Sequence, residues 1–252
     1  GGEFEDGLVQ IYNNLKSGNS NPSVHLTSTD NQDSNKPLRD DLPDLSNYAH
    51  LIVGDGSKKI VGYTEASRGC KHKCRHCPVV PVYKGRFRII ESDMVLADIR
   101  QQIANGAEHI SFGDPDFFNG PSHAVKIIRA LHKEFPKISY DATIKIEHLL
   151  KHKDLLSTLK ETGCLFITTA VESVEEDILK ILDKGHTQED FKQVAQITKN
   201  IGIPISPTFV PFTPWTTKQG FLCLLDTIAE LGLIENVAPI QLAIRLLIPN
   251  KS

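Results

Sequence analysis

Three cysteines fall within one short run, Ser67-Arg68-Gly69-Cys70-Lys71-His72-Lys73-Cys74-Arg75-His76-Cys77-Pro78, spaced C-x3-C-x2-C. Thiolates this close on one loop repel one another unless a cation or a cluster sits among them. Three protein ligands suit a four-iron cluster that leaves one iron open to a small molecule. Zinc is the alternative, because Cys70, Cys74 and Cys77 with His72 or His76 would close a Cys3His site. Structural zinc sites usually pair two knuckles far apart in sequence, and no second CxxC knuckle occurs here.

The elements that must position this loop read as a regular alternation. A strand over 60–66 leads directly into it. Ser92 caps a helix whose apolar Val95, Leu96, Ile99 and Ile103 share a face, ending at Asn105-Gly106. A strand at 109–112 stops at Gly113-Asp114-Pro115, and Pro121 opens the next helix. Strands follow over 138–144, 164–170, 203–210 and 237–246. Helices are expected at 149–159, from a capping box at Ser173-Val174-Glu175-Glu176 to Leu182, at 191–201 and at 221–231. Six β-α units imply a parallel sheet. A full eight-unit barrel needs about 250 residues, so the fold class is α/β, a partial (β/α)6 TIM-like barrel. Its functional residues belong at the C-terminal ends of the strands.

Ahead of this core lies a stretch rich in Asn, Asp and Ser, with few large apolar residues and no clear period over 11–50. It buries too little surface to offset its ordering entropy. Residues 1–57 are therefore expected to form a polar, largely flexible extension with a short helix around 8–15, and residues 58–252 the partial-barrel core.

The 252 residues are 40% hydrophobic and 23% charged with a formal net charge of −3, values that exclude a generally basic nucleic-acid binder. No apolar run approaches the roughly 18 residues of a membrane span, and the acidic start is no signal peptide. Five cysteines, an odd number and clustered, do not make a secreted disulfide framework. The expectation is a reduced, cytoplasmic protein. Cys164 and Cys223 lie in apolar stretches and read as core thiols.

Cys70-x3-Cys74-x2-Cys77 after the first strand of a six-unit α/β array resembles the radical S-adenosylmethionine (radical SAM) superfamily, over about residues 60–248. The wording of Glu65-Ala66-Ser67-Arg68-Gly69-Cys70, Phe112-Gly113-Asp114-Pro115-Asp116-Phe117-Phe118 and Thr208-Phe209-Val210-Pro211-Phe212-Thr213-Pro214-Trp215 is closer still to the CUAEP/CCAEP-tail radical SAM group. This chain ends at Ile248-Pro249-Asn250-Lys251-Ser252 without that tail, which leaves a truncated chain or a different branch as the alternatives.

The resemblance implies an enzyme whose site-differentiated [4Fe–4S] cluster, on Cys70, Cys74 and Cys77, reductively cleaves S-adenosylmethionine. The products are methionine and a 5′-deoxyadenosyl radical, which abstracts hydrogen from a substrate. It further implies that Gly113, Asp114 and Pro115 face the methionyl amino group, that Glu172 and Ser173 hold the ribose, and that His76 packs near adenine. The alternatives are a turn for Asp114 and helix capping for Ser173. Arg245, a lone charge on the expected sixth strand, needs a carboxylate partner from cofactor or protein. Lys145, His148 and Trp215 are candidate substrate contacts, although His148 and His152 at i, i+4 also read as a surface pair. Two further readings keep a metal but change the chemistry: transfer of a 3-amino-3-carboxypropyl group, and a zinc-stabilised interaction module.

From Arg68 to Arg88 there are seven Lys or Arg and no acidic residue. As a functional feature this is a positive rim for an acidic electron donor such as flavodoxin or ferredoxin, or for an anionic substrate. As a bland one it is a solvated loop. Nucleic acid is disfavoured, since Tyr83 and Phe87 are the only interleaved aromatics.

Overall fold

The computed structural model describes residues 2–18, 28–30, 32 and 34–247; the expected C-terminal end at 248–252 lies outside them. The chain begins with α1 (Glu5–Lys16), acidic in its first turn and basic in its last, as the helix dipole favours. Two short strands and a hairpin follow: β1 (His50–Ile52), β2 (Lys58–Thr64), β3 (Ser67–Gly69), the one-turn α2 (Val80–Tyr83) and β4 (Phe87–Ile89). Then come α3 (Ser92–Ala104), β5 (His109–Phe112), α4 (Pro121–Glu134), β6 (Ser139–Thr143), α5 (Ile146–Lys151), α6 (Leu156–Glu161) and β7 (Cys164–Glu172). The last are α7 (Glu176–Leu182), α8 (Gln188–Ile201), β8 (Ile205–Phe209) and α9 (Lys218–Glu230).

β2, β5, β6, β7 and β8 pair in that order, all parallel, with β1 antiparallel on the outer edge. Strands that neighbour in space in chain order make a barrel open along one side, whereas a doubly wound sheet reverses its order. The expected partial TIM-like barrel is what forms.

Alternation along the strands divides the two faces. Ile110, Phe112, Tyr140, Ala142, Ile167 and Ile205 are buried in one core with Ile99, Ile127, Ile128, Leu131, Leu159, Phe191 and Leu224 of the helices. Each such side chain contributes about 1.5–3 kcal/mol. The intervening Ser111, Asp141, Thr143, Thr168, Ser206 and Thr208 are only half-buried and line the concave face.

Local chemistry explains several boundaries. Pro121 stands at the first position of α4, where its missing N–H costs nothing. Thr187 and Asp190 make a reciprocal capping box at α8, which ends on Gly202 in the left-handed conformation. The box expected at Ser173 is not there: α7 starts at Glu176, and Ser173 Oγ accepts from the Glu175 N–H at 3.0 Å.

The expected sixth strand over 237–246 is a correction. Pro239–Ala243 is instead a 3-10 helix, because Pro239 fixes φ and cannot donate to a ladder. Among the described residues, a single parallel bridge, Phe212 with Arg245, continues the sheet beyond β8.

At the opposite edge, β2 runs past the end of β1, and a side chain takes the place of a strand. Gln102 on α3, wholly buried, accepts from the Tyr63 N–H at 2.8 Å and donates to the Tyr63 carbonyl at 3.0 Å. Buried Asp98 fixes Arg39 through two bonds of 2.6 and 2.8 Å, and Arg39 donates to the same carbonyl.

Candidate metal centre and its surroundings

The cysteine loop is the tip of the β3–β4 hairpin, which stands at the C-terminal end of β2. Three features fix its entry. Asp114, almost fully buried, accepts from Ala66 N–H at 2.9 Å and Ser67 Oγ at 2.5 Å. Gly69 has φ +78°, and a Cβ there would lie 2.5 Å from the Tyr83 ring and 2.6 Å from the Arg86 carbonyl. Cys70 N–H donates to that carbonyl at 3.1 Å, closing the loop at its neck.

Inside the loop, Cys77 N–H turns back to the Cys74 carbonyl at 3.1 Å, and Arg75 N–H reaches Leu182 O at 2.9 Å. Asn119, wholly buried, takes the Lys71 N–H at 3.1 Å and lies 3.8 Å from Cys70 Sγ. Cys74 is buried, and Cys70 and Cys77 are half-buried. Burial pushes the Cys70 and Cys77 thiols up, so a positive centre must favour the thiolates.

Two buried lysines supply part of that charge. Lys145, from the end of β6, places Nζ 3.9 Å from Cys74 Sγ and 3.7 Å from Glu147. Lys184, after α7, donates to Glu172 Oε1 at 3.2 Å, and His76 Nε2 meets the same oxygen at 3.1 Å. Glu172 has φ +68°, a strained value for a non-glycine residue, at a bulge between β7 and β8. Burial opposes its charge, but the His76 bond and the Lys184 and His76 charges outweigh burial and hold the carboxyl down to about 2. Both bonds fall on Oε1, leaving Oε2 for a ligand.

The other candidates are placed as follows. Gly113 is covered by Tyr63, whose ring a Cβ there would strike, and Pro115 is exposed. Burial pushes the Asp114 carboxyl up to about 6 against its two hydrogen bonds. His148 is buried, with Nδ1 2.7 Å from Asp116 Oδ2, so the surface-pair reading of this histidine is corrected. Trp215, 40% exposed, sits in a turn held by Thr213 and Thr216. Arg245 is exposed, because the strand that would have buried it is absent; its charge is solvated and requires no partner.

The Arg68–Arg88 segment divides in two. Arg68 pairs with Glu5 at 2.7 Å and Glu65 at 3.0 Å, while Arg86 and Arg88 hydrogen-bond Thr29. Lys71 and Lys73 remain exposed on the loop. A cavity of about 800 Å³ lies between this N-terminal segment and the β2 edge, lined by residues such as Arg39, Glu65, Arg88 and Asp98 and away from the cysteines.

Sequence reasoning missed Asp116, Asn119, Lys184 and His186, all buried around the loop. It also missed Asp141 on the concave wall. That carboxylate accepts from Ser111 Oγ at 2.5 Å and sits 2.9 Å from His109 Nε2, while His109 Nδ1 meets Ser139 Oγ, itself a partner of Lys59. The available signal was the alternation of polar and apolar residues within the strands.

A half-open parallel barrel with three thiols at the C-terminal end of its first parallel strand defines an α/β protein with a candidate metal centre. The sequence model of the radical SAM superfamily matches residues 64–219, more than half of the chain, and the chain belongs to that superfamily. Membership carries the superfamily's [4Fe–4S] cluster and S-adenosylmethionine as cofactors.

Among curated proteins, it is 23% identical over 210 residues to hopanoid C-3 methylase of Methylococcus capsulatus, covering 83% of this chain and 39% of that protein. It is 24% identical over 236 residues to tRNA-2-methylthio-N(6)-dimethylallyladenosine synthase of Fusobacterium nucleatum, covering 84% and 48%. The chain thus spans less than half the length of these two relatives. The radical S-adenosylmethionine methyltransferase TsrM of Kitasatospora setae shares the fold at a TM-score of 0.56 and 20% identity, covering 68% of this chain and 34% of that one. No helix among the described residues is long and apolar enough to cross a membrane.

Proposed function

We propose that Cys70, Cys74 and Cys77 hold a site-differentiated [4Fe–4S] cluster in a radical SAM enzyme acting on a polar substrate. When bound and reduced, the cluster supplies the electron that cleaves S-adenosylmethionine to methionine and a 5′-deoxyadenosyl radical, the species that takes hydrogen from substrate. The observation that carries the reading is the cysteine loop itself, its thiols withdrawn from water beside the ammonium of Lys145 and with Lys184 behind them. The donor set fits: three thiols from one loop, with cationic side chains to offset an anionic cluster. His76 is turned to Glu172, so the Cys3His arrangement through that residue has no support.

The chain's own residues then have defined tasks. Lys145 and Lys184 offset negative charge that would otherwise be stranded in a low-dielectric site. Glu172, kept ionised and fixed through Oε1, offers Oε2 to a vicinal diol, and His76 is held beside it. Asp114 secures the hairpin that carries the loop, and Ser173 the turn after β7. The Ser111, Asp141, Thr143, Thr168, Ser206 and Thr208 wall presents hydrogen-bonding groups to a substrate in the half-barrel. Residues 1–57 serve as an extension to the core over 58–252. Exposed Lys71 and Lys73 suit an acidic donor of the flavodoxin or ferredoxin kind.

The test is anaerobic reconstitution followed by iron and sulfide analysis, electron paramagnetic resonance and product analysis. About four irons, a spectrum shifted by S-adenosylmethionine, and formation of 5′-deoxyadenosine are expected. A spectrum indifferent to S-adenosylmethionine, or stoichiometric zinc instead of iron, would overturn the assignment.

A further inference from the structure

We propose that His72, Asp116 and His148 hold a divalent transition-metal ion beside the cysteine loop, independently of the three cysteines. Asp116 is wholly buried in the turn after β5. Its Oδ1 accepts from Phe118 N–H at 3.2 Å and Lys145 N–H at 3.4 Å. Its Oδ2 has no hydrogen-bond partner, although His148 Nδ1 is 2.7 Å away and His72 Nε2 is 3.6 Å away. Both nitrogens are likewise buried and without a hydrogen bond. The His148 contact is close enough but poorly directed, and the His72 contact is too long, so neither satisfies the three groups as a hydrogen bond would.

A shared cation satisfies all three at once. Metal–nitrogen and metal–oxygen bonds of about 2.0–2.2 Å put adjacent donors about 3 Å apart, a separation that the two contacts bracket. Two imidazoles and one carboxylate on one side of an ion form the donor set of non-haem iron and of catalytic zinc sites, with positions left open. The supporting groups are also present. Two backbone N–H groups fix Asp116, and the second nitrogen of His72, Nδ1, faces Glu147 Oε2 at 3.6 Å. The His72 and His148 rings stand 4.8 Å apart and tilted, so both edges reach the carboxylate.

Cys70 Sγ is grouped with the His72 and Asp116 donors within 4.8 Å, which sets this ion next to the loop. Lys145 is the opposing charge nearby, and its ammonium lies 3.7 Å from Glu147. The ligand class is a borderline divalent ion such as Fe2+, Co2+ or Zn2+.

The experiment uses the full chain carrying Cys70→Ser, Cys74→Ser and Cys77→Ser together, titrated with Co2+ and read by its visible absorption and by metal content after desalting. One equivalent of Co2+, displaced by Zn2+, is expected. Asp116→Asn or His148→Ala in that background should weaken binding by at least about 10–100-fold. Absence of bound Co2+, or equal affinity in Asp116→Asn, would sink the proposal. Should the triple variant fail to fold, the same two substitutions in the wild-type chain give the answer: one of its bound Co2+ equivalents must be lost. Because no cysteine takes part, failure here leaves the cluster assignment intact.

Discussion

The ammonium of Lys145 lies 3.9 Å from the thiol of Cys74, across 71 residues of sequence, and both side chains are buried. Reduction adds a negative charge at the cysteine loop, and Lys145 favours that state. Lys145→Met should lower the reduction potential of the reconstituted centre by roughly 50–100 mV, from a unit charge at several ångströms in a medium of intermediate dielectric. Iron content should not change. Potentiometric titration followed by paramagnetic resonance makes the measurement, and an unchanged potential would show Lys145 to be neutralised by Glu147 alone.

Glu172 titrates at about 2 in the fold and near 4.5 when unfolded. A depressed carboxyl contributes stability that is present above the unfolded value and disappears as pH falls through the folded one. Urea unfolding of the wild type should therefore weaken between about pH 4.5 and 2, by on the order of 3 kcal/mol from this group. In Glu172→Gln that part of the acid limb should be missing.

Asp114 has the opposite sign. Its carboxyl is raised to about 6, so its contribution is full below about pH 4 and is lost as pH rises through 6. Asp114→Asn should flatten the stability profile across that interval, by up to about 3 kcal/mol. A profile identical to wild type would mean that the hairpin clamp is solvated.

Gly69→Ala places a side chain where φ is +78° and the Tyr83 ring is 2.5 Å away. The loop neck must shift, at a cost of about 1–3 kcal/mol. Iron bound per chain after reconstitution should fall well below wild type while far-ultraviolet circular dichroism is retained.

Cys74→Ala should abolish cluster assembly, and Cys164→Ala should leave it intact. Cys164, the first residue of β7, is buried in the core, with its thiol pushed up by burial. Iron analysis of the two variants decides both assignments.

What the sequence made legible was local. The Pro121 helix start and the apolar stripe of α3 depend on residues a few positions apart, and each appears as expected. The apolar run over 237–246 misled because hydrophobicity alone does not outvote one proline without an N–H to pair. His148 looked like half of a surface pair because its partner, Asp116, sits 32 residues earlier in another turn. Lys184 and Asp141 were silent for the same reason: a charge acquires its role only when the barrel closes Glu172 or Ser111 around it. Burial of a polar residue at the end of a strand is a product of topology, and no window along the chain contains it.

The Gln102 amide bonded to both backbone groups of Tyr63 has an implication for how copies of the chain meet. A bare strand edge is a template on which another chain can add its own strand, and such addition is a route to aggregation. Here one side chain occupies the donor and the acceptor that an incoming strand would need, and Arg39 doubles the seal on the carbonyl. The part of β2 that runs past β1 is thus protected by a residue that belongs to a helix, and a strand approaching there finds the Tyr63 donor and acceptor already taken.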